Sequence, residues 1–298
     1  MDRFHAMRVF MRIAETGGFA EAARQLHMSP PAVTRAVAAL EDAIGARLLT
    51  RTTRSVRLTE AGARYVEDCR TILAAIEEAE AAAAGLYATP SGMLTVTASV
   101  MFGRIYILPV MTEFLDRHPE VSGHMLLLDR IVNLVDEGVD VAIRIGNLPD
   151  SSYRAIRIGS VRQVICGSPA YLAKHGLPRT PADLASHRIV AATSSWPSLE
   201  WRFGRDADIA VNVKPTLFSN SNEATISAVR SGWGLTRALS YQVGPDLASG
   251  ELQIVLGEFE QPPLPVHIVH AEGRNASAKV RAFIDFARDR LRANPAFN

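Results

Sequence analysis

Residues 19–58, FAEAARQLHMSPPAVTRAVAALEDAIGARLLTRTTRSVRL, set two short helices and a hairpin-like run end to end. Phe19, Ala22, Ala23 and Leu26 recur at helical spacing, and His27-Met28-Ser29 then breaks the pattern. Pro30-Pro31 opens a second helix with Val33, Val37, Leu40 and Ile44 facing inward. The alanines at 22 and 23 are small enough to let the two helices cross closely. Ser29 suits an N-cap, because its hydroxyl can accept from first-turn amides, and a proline just inside the helix loses no needed donor. The outer face of the second helix, entered through Ser29 and Pro30, carries Pro31, Ala32, Thr34, Arg35 and Ala38. These small, hydroxylated and basic side chains suit base edges and thymine methyls. The plain alternative is a surface helix of an ordinary bundle.

The flanking residues favour a DNA-reading head. Leu48-Leu49 and Val56/Leu58 bracket a tip of Arg51, Thr52, Thr53 and Arg54, the outline of a hairpin wing whose guanidiniums could reach phosphates or a minor groove. Residues 1–64 hold ten Arg and six Asp/Glu, a net of +4, whereas residues 65–91 hold one Arg and five Asp/Glu, a net of −4. The whole chain is nearly neutral at +1, so the basic character is local. That balance argues against indiscriminate coating of nucleic acid and permits a small reading head on a larger neutral body.

Thr59 and Glu60 open a long helix in which Val66, Cys69, Leu73, Ile76, Glu80 and Ala83 fall at alternating three- and four-residue steps, the spacing of a coiled-coil seam. Continued to about Leu86, it would span about 40 Å at 1.5 Å per residue, more than the head needs. The seam is therefore expected to pair two subunits; the alternative is packing against its own domain. A dimer suits a DNA reader, since two heads one helical turn apart multiply specificity.

The 298 residues leave room for two or three domains, and 48% hydrophobic with 21% charged residues is ordinarily globular. Two cysteines, Cys69 and Cys166, fit a reducing compartment rather than a disulfide framework. With no apolar run approaching eighteen residues and a charged N-terminus, neither a signal peptide nor a membrane span is indicated, and a cytoplasmic protein is expected.

Past Thr89-Pro90-Ser91-Gly92 the chain changes style. Met93–Ala98 reads as a strand, Phe102–Arg117 as a helix, Val121–Leu128 as a strand, Ile131–Glu137 as a short helix and Val139–Ile145 as a buried strand. A second set follows, with strands at Val164–Gly167, Arg188–Ala192, Ile209–Val213 and Gly234–Ala238, and helices at Pro169–His175 and Asn222–Ser231. Strand Val266–His270 and helix Ser277–Arg292 could return to the first set. The alternation predicts an α/β fold of two lobes, each a mostly parallel sheet covered by helices, joined by two crossing segments with a cleft between them.

Several residues face that cleft in this reading. Ser99 follows the first strand and precedes a helix, so its hydroxyl and the amides of Val100 and Met101 could hold a carboxylate, or Ser99 could be a plain N-cap. Ser219-Asn220-Ser221-Asn222 sets polar groups before another helix, either as ligand contacts or as a structural turn. Trp196, Trp201 and Phe203 could line a pocket or cover a core. Arg144, in Ile143-Arg144-Ile145-Gly146 at a strand end, needs an anion or carbonyl, which a ligand, Asp140 or Asp150 could supply.

Enzymatic motifs are missing: there is no P-loop, no three-glycine dinucleotide fingerprint, no HExxH, no CxxC and no GxSxG. The eight histidines lack metal-ligand spacing, and no cofactor or metal is expected. A two-lobed solute receptor would have no use for residues 1–88, and a thiol-based sensor would want two approachable cysteines in the body, where only Cys166 lies.

Residues 1–88 resemble the N-terminal region of LysR-type transcriptional regulators. The stretch FHAMRVFMRIAETGGFAEAARQLHMSPPAVTRAVAALEDAIGARLLTRTTRSVRLTEAG couples AAxxLxxSxxAVxRxxxxLE, the Gly45 turn, LLxRTTR and LTEAG in order. It departs from the family where a serine or glutamine usually starts the recognition helix and Pro30-Pro31 stands instead. LTVTASVMFGR, NLVDEGVDVAIRIG and SPAYLAKHGLPRTPADLASH are similar, more loosely, to the effector-binding domain of the same regulators. The resemblance implies a winged helix-turn-helix over 1–59, a dimerising linker helix over 60–88 and an effector domain of the periplasmic-binding-protein type over 92–298. Lobe I would comprise about 92–161 and 266–298, and lobe II about 162–265. It further implies a double-stranded DNA operator as partner, a homodimer that assembles into a homotetramer, and a small-molecule effector, typically an organic anion, near Ser99, Ile145-Gly146, Trp201–Phe203 and Asn220.

Overall fold

The computed structural model describes residues 2–51, 56–83, 89–148, 153–193, 198–271 and 276–297. The chain divides into two compact units, Met1–Ala88 and Thr89–Asn298.

The first unit packs helices α1 (Arg3–Thr16), α2 (Phe19–Gln25) and α3 (Pro30–Ile44) with an antiparallel pair, β1 (Leu49–Arg51) and β2 (Val56–Leu58), and a long helix α4 (Glu60–Ala83). Asp2 caps α1 by accepting from the Phe4 and His5 amides, at 3.0 and 3.1 Å. Gly45 closes α3 in the left-handed region at φ +76°, which glycine enters without a Cβ penalty. One core gathers Val9, Phe10 and Ile13 of α1, Ala22 and Ala23 of α2, and Val33, Val37 and Leu40 of α3. Ser29 takes the N-cap position of α3, but its hydroxyl makes no capping bond. Pro30 and Pro31 carry no N–H, so the second-position donor that such a cap would bind is missing. The third-position amide, of Ala32, donates to the Ser29 carbonyl instead, at 2.9 Å.

Helix α4 corrects an expectation. Val66, Cys69 and Leu73, read as an intersubunit seam, are buried in the core of their own head. The helix lies so close to the start of β1 that a Cβ on Gly62 would meet the Leu48 carbonyl oxygen, leaving no space for a side chain at that crossing. Beyond Leu73 the stripe opens, with Ile76 half-buried and Glu80 exposed; beside it Ile72 is 39% exposed.

The second unit holds two five-stranded sheets. The first is built from β3 (Gly92–Ala98), β4 (Val121–Leu127), β5 (Val141–Ile145), β6 (Arg154–Val161) and, returning near the C-terminus, the last strand, Leu264–His270. Over β3 and β4 runs a continuous helical segment: α5 (Val100–Phe102), a π-helical turn Gly103–Ile107 and α6 (Leu108–Arg117). The second sheet belongs to β7 (Gln163–Gly167), β8 (Ile189–Ala192), β11 (Pro215–Ser219), β12 (Leu235–Leu239) and β13 (Gln253–Val255), with helices α7 (Pro169–His175), α8 (Asn222–Arg230) and α9 (Ser240–Ser249). A separate ribbon of β9 (Glu200–Phe203) and β10 (Ile209–Asn212) closes one side. The last strand, β14, joins the first sheet in the order β4-β3-β5-β14-β6, and the second runs β11-β8-β12-β7-β13. Helix α10 (Ala278–Arg292) packs its Phe283 against Phe114 of α6 in the first lobe.

Two further expectations are corrected. The sheets are mixed rather than mostly parallel: β3 runs parallel to β4 and β5, but β14 is antiparallel to β5 and β6. In the second sheet β8 is parallel to β11 and β12, while β7 is antiparallel to β12 and β13. The chain must cross between the lobes twice, and the strands beside those crossings, β6, β7 and β14, carry the reversed pairings. Residues 131–137, expected as a short helix, form none; a turn over 134–138 takes its place. Asn133 Oδ1 accepts from the Val135 amide at 3.1 Å, a local bond that competes with helix propagation, and Gly138 ends the turn at φ +61°. Among the described residues no helix is long and apolar enough to cross a membrane.

Candidate functional site

On α3, Val33, Val37 and Leu40 point into the core, which turns Ser29, Pro30, Pro31 and Arg35 outward and leaves Ala32 and Thr34 half-buried. The exposed face is thus small and basic, with Arg35 as its long side chain. The hairpin beside it pairs Leu49 with Leu58, Thr50 with Arg57 and Arg51 with Val56. Thr52, Thr53 and Arg54 lie outside the described residues.

The joint between α3 and the hairpin rests on a residue absent from the candidate set above. Glu41 is 6% exposed; its carboxylate accepts from the amides of Leu48 and Leu49 at 2.8 and 3.1 Å and from Arg47 Nη1 at 2.9 Å. Burial alone would raise its pKa, but the two amides and the Arg47 guanidinium together hold it below the ordinary carboxylate value. A charged carboxylate therefore ties the hairpin to α3. At the far end of the hairpin Thr59 joins its base to α4, donating to the Arg47 carbonyl at 2.7 Å and accepting from the Gly62 amide at 2.9 Å.

In the second unit the first candidate, Ser99, sits where β3 gives way to α5. Its backbone is that of an N-cap, yet its hydroxyl makes no capping bond and lies 3.4 Å from the hydroxyl of Tyr241 in the other lobe. Burial pushes the Tyr241 phenol up to about 12, so it stands there as a neutral hydroxyl. The Val100 amide, proposed above to meet a ligand's carboxylate, donates to Asp129 Oδ1 at 3.0 Å. The other oxygen of Asp129 accepts from Asn222 Nδ2 at 3.2 Å. Arg104 and Glu223 form a third interlobe contact at 3.1 Å. Beside these bridges a cavity of about 650 Å³ opens between the lobes, bordered by Met101, Arg104, Ile226, Arg230 and Tyr241. That volume is within the range of small-molecule sites, about 300–1,000 Å³.

The remaining candidates are placed less favourably. Trp201 and Phe203 are buried in the core of the second lobe with Tyr171, Leu184 and Ile189, because β9 turns both side chains inward; Trp196 lies outside the described residues. Arg144 donates to the Val132 carbonyl at 2.7 Å, and burial lowers its pKa, so a backbone carbonyl supplies the partner it needs. Asp140 is engaged elsewhere, by the Thr95 amide at 2.7 Å and Lys279 at 3.6 Å, and Asp150 lies outside the described residues. Ile145 is half-buried, and the Gly146 amide donates to the Pro265 carbonyl at 2.8 Å. Asn220 is exposed; Ser221 caps α8 through the Ala224 amide, which makes Asn222 the buried asparagine at the lobe boundary.

Asp129 was legible on the same ground as Ser99. It follows β4 as Ser99 follows β3, and the two parallel neighbours pair Ala98 with Leu127, so the residues beyond them meet at one edge. Both cysteines are buried, Cys69 with its thiol pushed up to about 11 and Cys166 to about 12 by burial, which keeps them protonated and unreactive.

Comparison with known proteins finds two family matches in series. Residues 4–63 match the bacterial regulatory helix-turn-helix protein, lysR family, and residues 88–292 match the LysR substrate binding domain. An HTH-type transcriptional regulator of Xanthomonas campestris is 36% identical over 95% of this chain and 84% of its own length. The HTH-type transcriptional regulator CrgA of Neisseria meningitidis is 32% identical over 97% of each chain. The solved structure of CrgA, described as a LysR-type transcriptional regulator, superposes with a TM-score of 0.62 at 31% identity, covering 97% of this chain and 99% of that one.

Proposed function

Since the chain belongs to the LysR family of transcriptional regulators, non-enzymatic DNA-binding proteins with a substrate-binding domain, we propose that it reads an operator through α3 and the wing and answers to an organic anion held between its lobes. Arg35 and Thr34 contact base edges from α3, with Ser29, Pro30, Pro31 and Ala32 fitting the groove around them, and Arg51, Thr52, Thr53 and Arg54 hold phosphates or the minor groove. The effector meets Ser99, Val100 and Met101 and occupies the adjoining cavity. LysR-type regulators are oligomeric; here α4 beyond Leu73 pairs two subunits and dimers join as tetramers. The protein works in the cytoplasm.

The observation that carries the anion reading is the carboxylate of Asp129 on the Val100 amide, a working example of the group that this helix start accepts. A thermal-shift screen of small organic acids on the full chain tests it, because a ligand of the folded state raises its melting temperature by mass action. A hit whose effect disappears in Ser99→Trp, a variant that blocks the helix start, places the ligand there. A hit that is undiminished in that variant removes the site from the cleft.

A further inference from the structure

Asp129 takes two donors from two lobes with one carboxylate. Oδ1 receives the first-turn amide of the helical segment that begins at Val100, at 3.0 Å, and Oδ2 receives Nδ2 of Asn222, a side chain 4% exposed at the start of α8, at 3.2 Å. The next residue does not neutralise it: Arg130 is turned to Glu137 in a two-pronged pair at 2.7 Å on each arm. Among the described residues Asp129 forms no salt bridge, so its charge rests on the amide of a helix start and on a carboxamide. Two carboxylates cannot share such a seat, since like charges at contact distance repel strongly wherever water is partly excluded.

We propose that Asp129 is a resident competitor for the anion seat of the cleft. It fills the seat when no effector is bound and ties the lobes together through Asn222, and an anionic effector enters by displacing it. This rests on the reading of the cleft as the effector site, which it deepens in two ways. The measured affinity for an anion is the intrinsic affinity reduced by the fraction of molecules in which Asp129 has swung away. Displacement also exchanges a covalently tethered bridge between Val100 and Asn222 for one made by the ligand, so that binding changes what holds the lobes at that edge.

The test uses the full chain and two probes small enough to fit any version of the seat, sodium formate and sodium acetate, titrated in thermal unfolding with ionic strength held by chloride. Asp129→Ala is expected to melt below the wild type and to recover part of the difference saturably at millimolar formate or acetate. The wild type should require at least tenfold more. Val100→Pro in the Asp129→Ala background should abolish the recovery, because proline at the first helical position removes the donor while keeping the helix. Asp129→Asn, which retains the side chain's shape and one acceptor without the charge, should respond at intermediate concentration and serves if the alanine variant does not fold. Equal dose dependence in wild type and Asp129→Ala would overturn the proposal, as would recovery that survives Val100→Pro. The outcome is separable from that of the effector reading. Formate recovery in Asp129→Ala with no organic acid binding the wild type sinks the effector and keeps the competitor, whereas an organic acid that binds wild type and Asp129→Ala equally does the reverse.

Discussion

Arg35 and Glu41 lie six residues apart on one helix and do opposite jobs. Arg35 is exposed on the reading face, and its replacement by alanine is expected to weaken operator binding by about 1–3 kcal/mol, the worth of a bidentate base contact. Random DNA should lose much less. Fluorescence anisotropy on both DNAs checks it, and equal losses would make Arg35 a phosphate contact. Glu41 is buried, and its work is to seat the wing. Glu41→Gln keeps one oxygen for the Leu48 and Leu49 amides but removes the charge and sets a carboxamide N–H against the Arg47 guanidinium, so exchange protection over residues 47–58 should fall by about 1–3 kcal/mol at neutral pH. Its folded pKa lies below the ordinary 4.5, so its contribution is fully present above that value and disappears as pH falls through the depressed one. The difference between wild type and Glu41→Gln should therefore shrink steadily below about pH 4.5; a constant difference down to pH 2 would show that the charge has no part in the joint. The exposed face of α3 was legible because it follows from which residues a 3.6-residue repeat turns outward. The role of Glu41 was not, because a glutamate six to eight residues from its partners, across the turn that ends the helix, carries no local mark of being buried.

At the scale of elements, periodicity identified helices wherever the apolar stripe was regular, and failed where local chemistry intervened. Helix α9 reads SYQVGPDLAS, with Gly244 and Pro245 inside it, and so resembles a loop. Strand β6, RAIRIGSV, lies at the sheet edge with only part of its length buried, so alternation is weak. Trp201 and Phe203 alternate as a strand does, but their spacing alone left open which side of the ribbon faces a core. Helix α4 shows the same limit: Val66, Cys69 and Leu73 carry the seam spacing yet lie in the head core, and spacing alone gives no sign of whether a stripe meets its own domain or a second subunit. Leu73 now belongs to the head core, so Leu73→Asp should unfold the head, at a cost beyond the about 2–5 kcal/mol of a leucine truncation once charge burial is added. Ile72, exposed on the same helix, should tolerate Asp in the fold within about 0.5 kcal/mol and yet lower dimer affinity if α4 pairs subunits. Analytical ultracentrifugation decides: an Ile72→Asp protein that is folded and as dimeric as wild type at micromolar concentration would move the subunit contact off this part of α4.

For the effector unit as a whole, the two-lobed plan was legible from alternation of strand and helix, and the mixed pairing was not, because it depends on which way the chain re-enters each sheet. The re-entry points are two. At the first, β6 passes to β7 through Arg162; at the second, the chain leaves β13 through Leu256, held at φ +57°, and runs past Glu260 to β14. The two crossings are stapled to each other: Arg162 Nε and Nη2 meet the two oxygens of Glu260 at 2.8 and 3.0 Å. The first is also fixed to the start of α9, since the Arg162 amide donates to Ser240 Oγ at 3.1 Å and its carbonyl accepts the Ser240 amide at 2.8 Å. Any change in lobe angle must be absorbed at these few residues, and a side-chain pair that spans them resists it. Arg162 is half exposed, so solvent screening holds the pair to about 1 kcal/mol despite its two-pronged geometry. Arg162→Ala should then speed hydrogen exchange in residues 160–163 and 256–263 about fivefold, the factor that 1 kcal/mol corresponds to, while the sheet cores exchange as before. The same variant should need less effector for its half-maximal response if effector binding turns the lobes. Uniformly faster exchange through both sheets would mean that the pair supports global stability, and unchanged exchange at both crossings would mean that the lobes are held by the contacts at Ser99, Asp129 and Arg104 alone.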